Sequence, residues 1–151
     1  YKAFGTKAAI VAEMLDELEG SPARLAILDQ LIAETDPHAQ LRLFVSMHRT
    51  MFEAGIDILR AALDARSEPG VIELAERGNA ARRAGTTQLT EAWAAKGALR
   101  EGLDEATAGE TLWLLSTAEQ FVAAIDGLGW EPDHYEAWLG DLLADALLGS
   151  A

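Results

Sequence analysis

The chain has 151 residues, with 12 Lys and Arg against 25 Asp and Glu and a formal net charge of -13. That length is enough to bury about 70% of the unfolded surface in one core, and with no cysteine neither a disulfide framework nor a thiolate metal site can form. So large a negative charge repels a phosphate backbone, which excludes the body as a whole from reading nucleic acid. The first residues carry no long apolar run, and no stretch approaches the roughly 18 apolar residues of a membrane span, so a soluble, cytoplasmic protein is expected.

Leu (22) and Ala (29) far outnumber Ile and Val (11 together), a bias that predicts helix throughout and no sheet. Tyr1, Lys2, Phe4, Gly5, Thr6 and Lys7 read as the close of one helix and the start of another. Gly5 is free to take the left-handed conformation, and Thr6 is an N-cap. Ile10, Val11, Met14, Leu15 and Leu18, at spacings of three and four, predict a helix over 7–19, ended by Gly20. Ser21 and Pro22 open a second helix over 22–34 with Leu25, Leu28, Leu31 and Ile32 on its face; Asp36 and Pro37 open a third.

The third helix, 37–66, has two apolar stripes. Leu41, Val45, His48, Phe52, Gly55 and Leu59 form one, and Phe44, Met47, Met51, Ala54, Ile58 and Ala62 the other. A helix apolar around most of its circumference has neighbours on several sides, which places this one at the centre of a bundle. After a break at 67–70, a helix over 71–96 aligns Leu74, Gly78, Arg82, Gly85, Leu89 and Trp93. Two interior glycines cost about 1 kcal/mol each relative to Ala. Either close helix packing or space for a ligand, with Arg82 at its edge, accounts for them.

A turn over 97–103 leads to Asp104, the cap of a helix over 105–126. Leu112, Leu115, Glu119 and Val122 line one face, Trp113, Gln120 and Ala124 a second, and Leu114, Thr117, Phe121 and Ile125 a third. The last helix, 133–148, carries Tyr135, Trp138, Leu139, Leu142, Leu143 and Ala146. The apolar faces of these two helices exceed what the core already built can use, and the surplus predicts a partner. The expectation is one all-α body of about six helices.

Chemistry finds few footholds. His38, His48 and His134 are dispersed, and the single Glu131-x-x-His134 lacks the second copy and the further glutamates of a di-iron bundle. Walker, GxGxxG and GxSxG patterns are absent, and no carboxylate pair stands out as acid and base. No enzyme, metal or cofactor is expected. His48 is either a core histidine bonded to a carbonyl or carboxylate, or a polar contact in a ligand pocket. Met and aromatic residues suit an apolar pocket that accepts several shapes, and at helical spacing they equally suit a core. The candidate ligand-binding residues are Phe44, Met47, His48, Met51, Arg82, Trp93, Trp113 and Gln120.

Tyr1, Phe4, Gly5, Thr6 and Lys7, running into the apolar face Ile10, Val11, Met14 and Leu15, resemble the end of the recognition helix and the start of the next helix in TetR-family transcriptional regulators. Gly129, Trp130, Pro132, Tyr135, Glu136, Trp138 and Leu139 resemble the closing helix of many members; Trp113, Leu114 and the segment 119–121 resemble the helix before it. The resemblance implies that residues 1–6 are a remnant of a helix-turn-helix DNA-binding head and 7–151 a TetR-like ligand-binding and dimerisation domain, most of the head being missing. It implies phosphate contacts from Tyr1, Lys7 and, more weakly, Lys2. It implies a homodimer built through Leu115, Glu119, Val122, Trp138, Leu142 and Ala146, the last two helices of each copy forming a four-helix bundle. The implied function is a repressor released from operator DNA by a small, largely apolar effector that shifts the helix over 7–19. The alternative is a helical module binding a small molecule or protein with no DNA function. A third possibility, a ferritin-like enzyme, requires stoichiometric metal.

Overall fold

Side-chain caps determine where several helices begin. Thr6 Oγ1 accepts from the Ala9 N–H at 3.1 Å, Ser21 Oγ from Arg24 at 3.4 Å, Asp36 Oδ2 from Ala39 at 2.8 Å and Asp104 Oδ1 from Thr107 at 2.9 Å. Each satisfies one of the donors that a helix start leaves without an internal partner. The computed structural model describes residues 6–150; Tyr1 and Lys2 lie outside them. The elements are α1 (Lys7–Glu19), α2 (Pro22–Ala33), α3 (Pro37–Ala54), α4 (Ile56–Asp64), α5 (Pro69–Ala95), α6 (Glu105–Leu115), α7 (Ala118–Val122) with a π-helical turn (Ala123–Gly127), and α8 (Pro132–Leu147). No strand forms among the described residues; a single bridge joins Leu99 to Leu148. None of these helices is long and apolar enough to cross a membrane.

The all-α expectation holds, but the count of about six helices is corrected at two places. The helix expected over 37–66 breaks at Gly55, whose φ of -108° and ψ of 18° end α3. Leu18, at the far end of α1, packs directly against this glycine: a Cβ there would lie 2.1 Å from Leu18 Cδ1. The helix expected over 105–126 breaks at Ser116. Its hydroxyl donates back to Leu112 O at 2.7 Å, and Thr117 Oγ1 caps a new helix by accepting from Gln120 N at 3.2 Å. Hydroxyl side chains that bond nearby main chain compete with helix continuation in this way. The π turn that follows is fastened to α4 by a two-point ion pair, Arg60 Nε to Asp126 Oδ2 at 2.9 Å and Nη2 to Oδ1 at 2.6 Å.

The helix α3 packs mainly against α2 and α8, and α5 most extensively against α6. The core between them contains Leu41, Phe44, Val45 and Phe52 of α3, Trp93 of α5, Leu112 of α6, Phe121 of α7, and Tyr135, Leu139, Leu143 and Leu147 of α8. The four α8 residues recur every four positions, the stripe of a helix with one buried face. Gly97 and Gly102, with φ of 66° and 80°, turn the chain from α5 to α6 in a region of backbone space that other residues enter at a steric cost. That loop is tied to the end of α8 by Arg100 N–H to Leu147 O at 2.9 Å and Gly149 N–H to Ala98 O at 3.0 Å.

Candidate functional site

Trp93 and Gln40 define how α5 lies against α3. The indole Nε1–H donates to Gln40 Oε1 at 2.8 Å, and the Gln40 amide in turn donates to Glu34 O at 2.8 Å. Trp93 is thereby fully buried with its one polar group satisfied, set apart from the other candidates at the end of α5. Further along α3 stands His48, and back along α5 stands Arg82, whose charge His48 feels.

His48 is buried between Phe44, at 4.2 Å between ring centroids, and Phe52, at 5.7 Å. Its Nδ1–H donates to Phe44 O at 2.9 Å. Burial pushes the imidazole down to about 4, the Phe44 carbonyl opposes that shift, and the charges of Arg82 and Arg24 add to it. The ring is therefore neutral at physiological pH. Met47 is buried and Met51 half-buried, the latter packed on the core.

Arg82 reaches across from α5 to the break after α6. Its Nη1 donates to Trp113 O and to Ser116 Oγ, the latter at 3.1 Å, and its guanidinium lies 4.6 Å from the centroid of the Trp113 ring. The carbonyl of Trp113 is available because Ser116 has interrupted the helix, which leaves such carbonyls without an amide partner four residues on. Burial pulls the Arg82 pKa down, and Glu119 counteracts it from beyond ion-pair distance. Gln120, on the other side of the break, donates to Leu115 O at 2.8 Å and lies beside Tyr135. The Tyr135 hydroxyl is buried without a well-formed hydrogen bond, and burial raises its pKa.

The structure thus brings Arg82 against Trp113 at the α6–α7 break, with Gln120 across the break beside Tyr135; His48 stacks on Phe44, and Trp93 bonds to Gln40. Ser116 and Tyr135, at and beside that break, were not among the sequence candidates. A signal for the break was present, because Thr117-x-x-Gln120 has the spacing of a helix-capping box.

An open groove of about 860 Å³ between α2, α3 and α8 is lined by none of the eight candidates. Ala137, Gly140 and Ala144 form its α8 wall, with Glu34, His38 and Arg42 opposite. Asp133 and Glu136 at its rim are engaged by Arg49, at 2.8 Å and 3.7 Å. Among the described residues, no cluster of three metal-ligating side chains forms.

Of the residues named for dimerisation, Leu115, Val122 and Ala146 are half-buried and Glu119 is exposed. Trp138 and Leu142, one turn apart on α8, remain 36% and 38% exposed. Lys7 opens α1 and lies 3.9 Å from Glu68 in an exposed ion pair. Comparison of the chain with protein-family models, with curated proteins and with solved structures returns no match.

Proposed function

We propose that the chain is the effector-binding and dimerisation body of a TetR-like, ligand-responsive transcriptional regulator, a repressor released from DNA by a small, largely apolar effector. The observation that carries the reading is the course of α1. It starts at the Thr6 cap, within the segment 1–7 that resembles the end of the TetR-family head, and its far end presses Leu18 into the Gly55 break of the central helix. A rigid helix anchored at that break is able to pass a change in the α3–α4 junction to whatever precedes Thr6. An effector does so by binding one arrangement more tightly than the other. The Trp138 and Leu142 strip supports the second half of the reading: two copies pairing through α6–α8 would cover it and set the spacing of two DNA-binding heads.

The test uses the protein as its gene encodes it and the DNA of its own promoter. Binding that falls when effector is added is expected, and failure to bind that DNA at low salt would leave the alternative, a helical binding module without DNA function. Light scattering of the present chain at micromolar concentration should give a dimer. A monomer would remove the dimerisation assignment.

A further inference from the structure

Arg82 lies between two glycines on α5, Gly78 one turn before it and Gly85 one turn after. A Cβ at either glycine would meet no atom within 4 Å, so neither is there to let a neighbouring helix of this chain approach closely. Of the two explanations open from the sequence, packing within the chain is set aside. What remains is an exposed helix face with a half-buried guanidinium between the two glycines. That guanidinium is held by one nitrogen, since both of its hydrogen bonds come from Nη1. Among the described residues, Nε and Nη2 make no hydrogen bond, and no carboxylate lies within 4.0 Å. Those two N–H groups form the side-on edge that matches a carboxylate with two parallel hydrogen bonds.

We propose that Arg82 anchors an anion site in which Nε–H and Nη2–H receive the carboxylate of an otherwise apolar effector. The proposal rests on the reading of this chain as an effector-binding body and names the chemical class it takes. The anchor is pre-set, because the Trp113 carbonyl, the Ser116 hydroxyl and the Trp113 ring fix the guanidinium before any ligand arrives. Trp113 is also the large apolar surface beside it. A single negative charge suits the site better than the two of a phosphate monoester: His48 nearby is neutral, and Glu119 places a carboxylate in the same field.

The experiment titrates the purified chain with straight-chain carboxylates from acetate to dodecanoate and with the matching neutral amides, by calorimetry and thermal unfolding, with inorganic phosphate as a control. A longer carboxylate should bind at least about tenfold more tightly than its amide. Arg82→Gln should abolish that gap, and Arg82→Lys, which keeps the charge and loses the fork, should restore part of it. Because Arg82→Gln also removes two structural hydrogen bonds, Gly78→Leu and Gly85→Leu give the independent test. They fill open space on an exposed helix face, so the melting temperature should rise while carboxylate binding weakens by about tenfold or more. Equal affinity for acid and amide, phosphate binding as strong as any carboxylate, no carboxylate binding, or a preference that survives Arg82→Gln would each overturn the proposal. So would dissociation of the dimer in Arg82→Gln or either leucine variant, which would assign this helix face to a subunit contact. Carboxylate binding that does not release promoter DNA from the full-length protein would leave the anion site standing and remove the regulator reading.

Discussion

Replacing His48 with glutamine should flatten the loss of stability on acidification. In the folded chain the imidazole is enclosed by Phe44 and Phe52, and burial holds its pKa at about 4, whereas in the unfolded chain it returns to 6.5. Above pH 6.5 both states are neutral, and the residue contributes no pH dependence. Below that value the unfolded state takes up a proton that the folded state refuses, so stability falls by about 1.4 kcal/mol per pH unit until the folded state titrates near pH 4, a total of roughly 3 kcal/mol. Urea unfolding followed by tryptophan fluorescence, at about pH 7.5 and about pH 5 and at one fixed protein concentration, should show the wild type losing about 2 kcal/mol more than His48→Gln. Exposed carboxylates with lowered pKa, Glu34, Asp104 and Asp126, add their own loss at lower pH, but they do so in both proteins and cancel in the difference. Parallel stability curves for the two proteins would refute the enclosed, neutral histidine.

Two glycine substitutions should act with opposite signs. Gly55→Ala drives a Cβ into Leu18 and should cost about 1–3 kcal/mol by overpacking, whereas Gly85→Ala meets nothing and should stabilise the chain by up to about 1 kcal/mol through helix propensity. Both are read by urea midpoints, and equal signs would contradict the packing at the α1–α3 junction. Tyr135→Phe removes a buried hydroxyl that lacks a well-formed hydrogen bond, so stability should change by less than about 1 kcal/mol or rise. A loss well beyond that in thermal unfolding would mean that the hydroxyl has a partner, such as a buried water.

The starts of four helices were legible from local chemistry. Thr6, Ser21, Asp36 and Asp104 are capping residues whose side chains reach their own main chain within three positions, an interaction that needs no tertiary contact. The stripe Tyr135, Leu139 and Leu143 was equally readable, because a helix with one buried face repeats its apolar residues at helical spacing. His48 shows the limit: its stripe placed it on the inner face, while its choice of Phe44 O and its neutrality depend on what encloses it.

Periodicity is blind to a helix that stops and restarts in nearly the same direction, so the Gly55 and Ser116 breaks escaped it. The first is coupled to Leu18 from α1, and the second exposes a carbonyl that Arg82 takes from α5. Composition and local patterning were thus sufficient for an acidic, all-helical chain with capped helices and apolar faces. Tertiary structure alone decided that Gly78 and Gly85 border open space rather than a neighbouring helix, and that Arg82 between them keeps one edge free. The physical reason is that a cap is satisfied within one turn of chain, whereas an empty space or an unused donor is defined by distant residues that do, or do not, come near it.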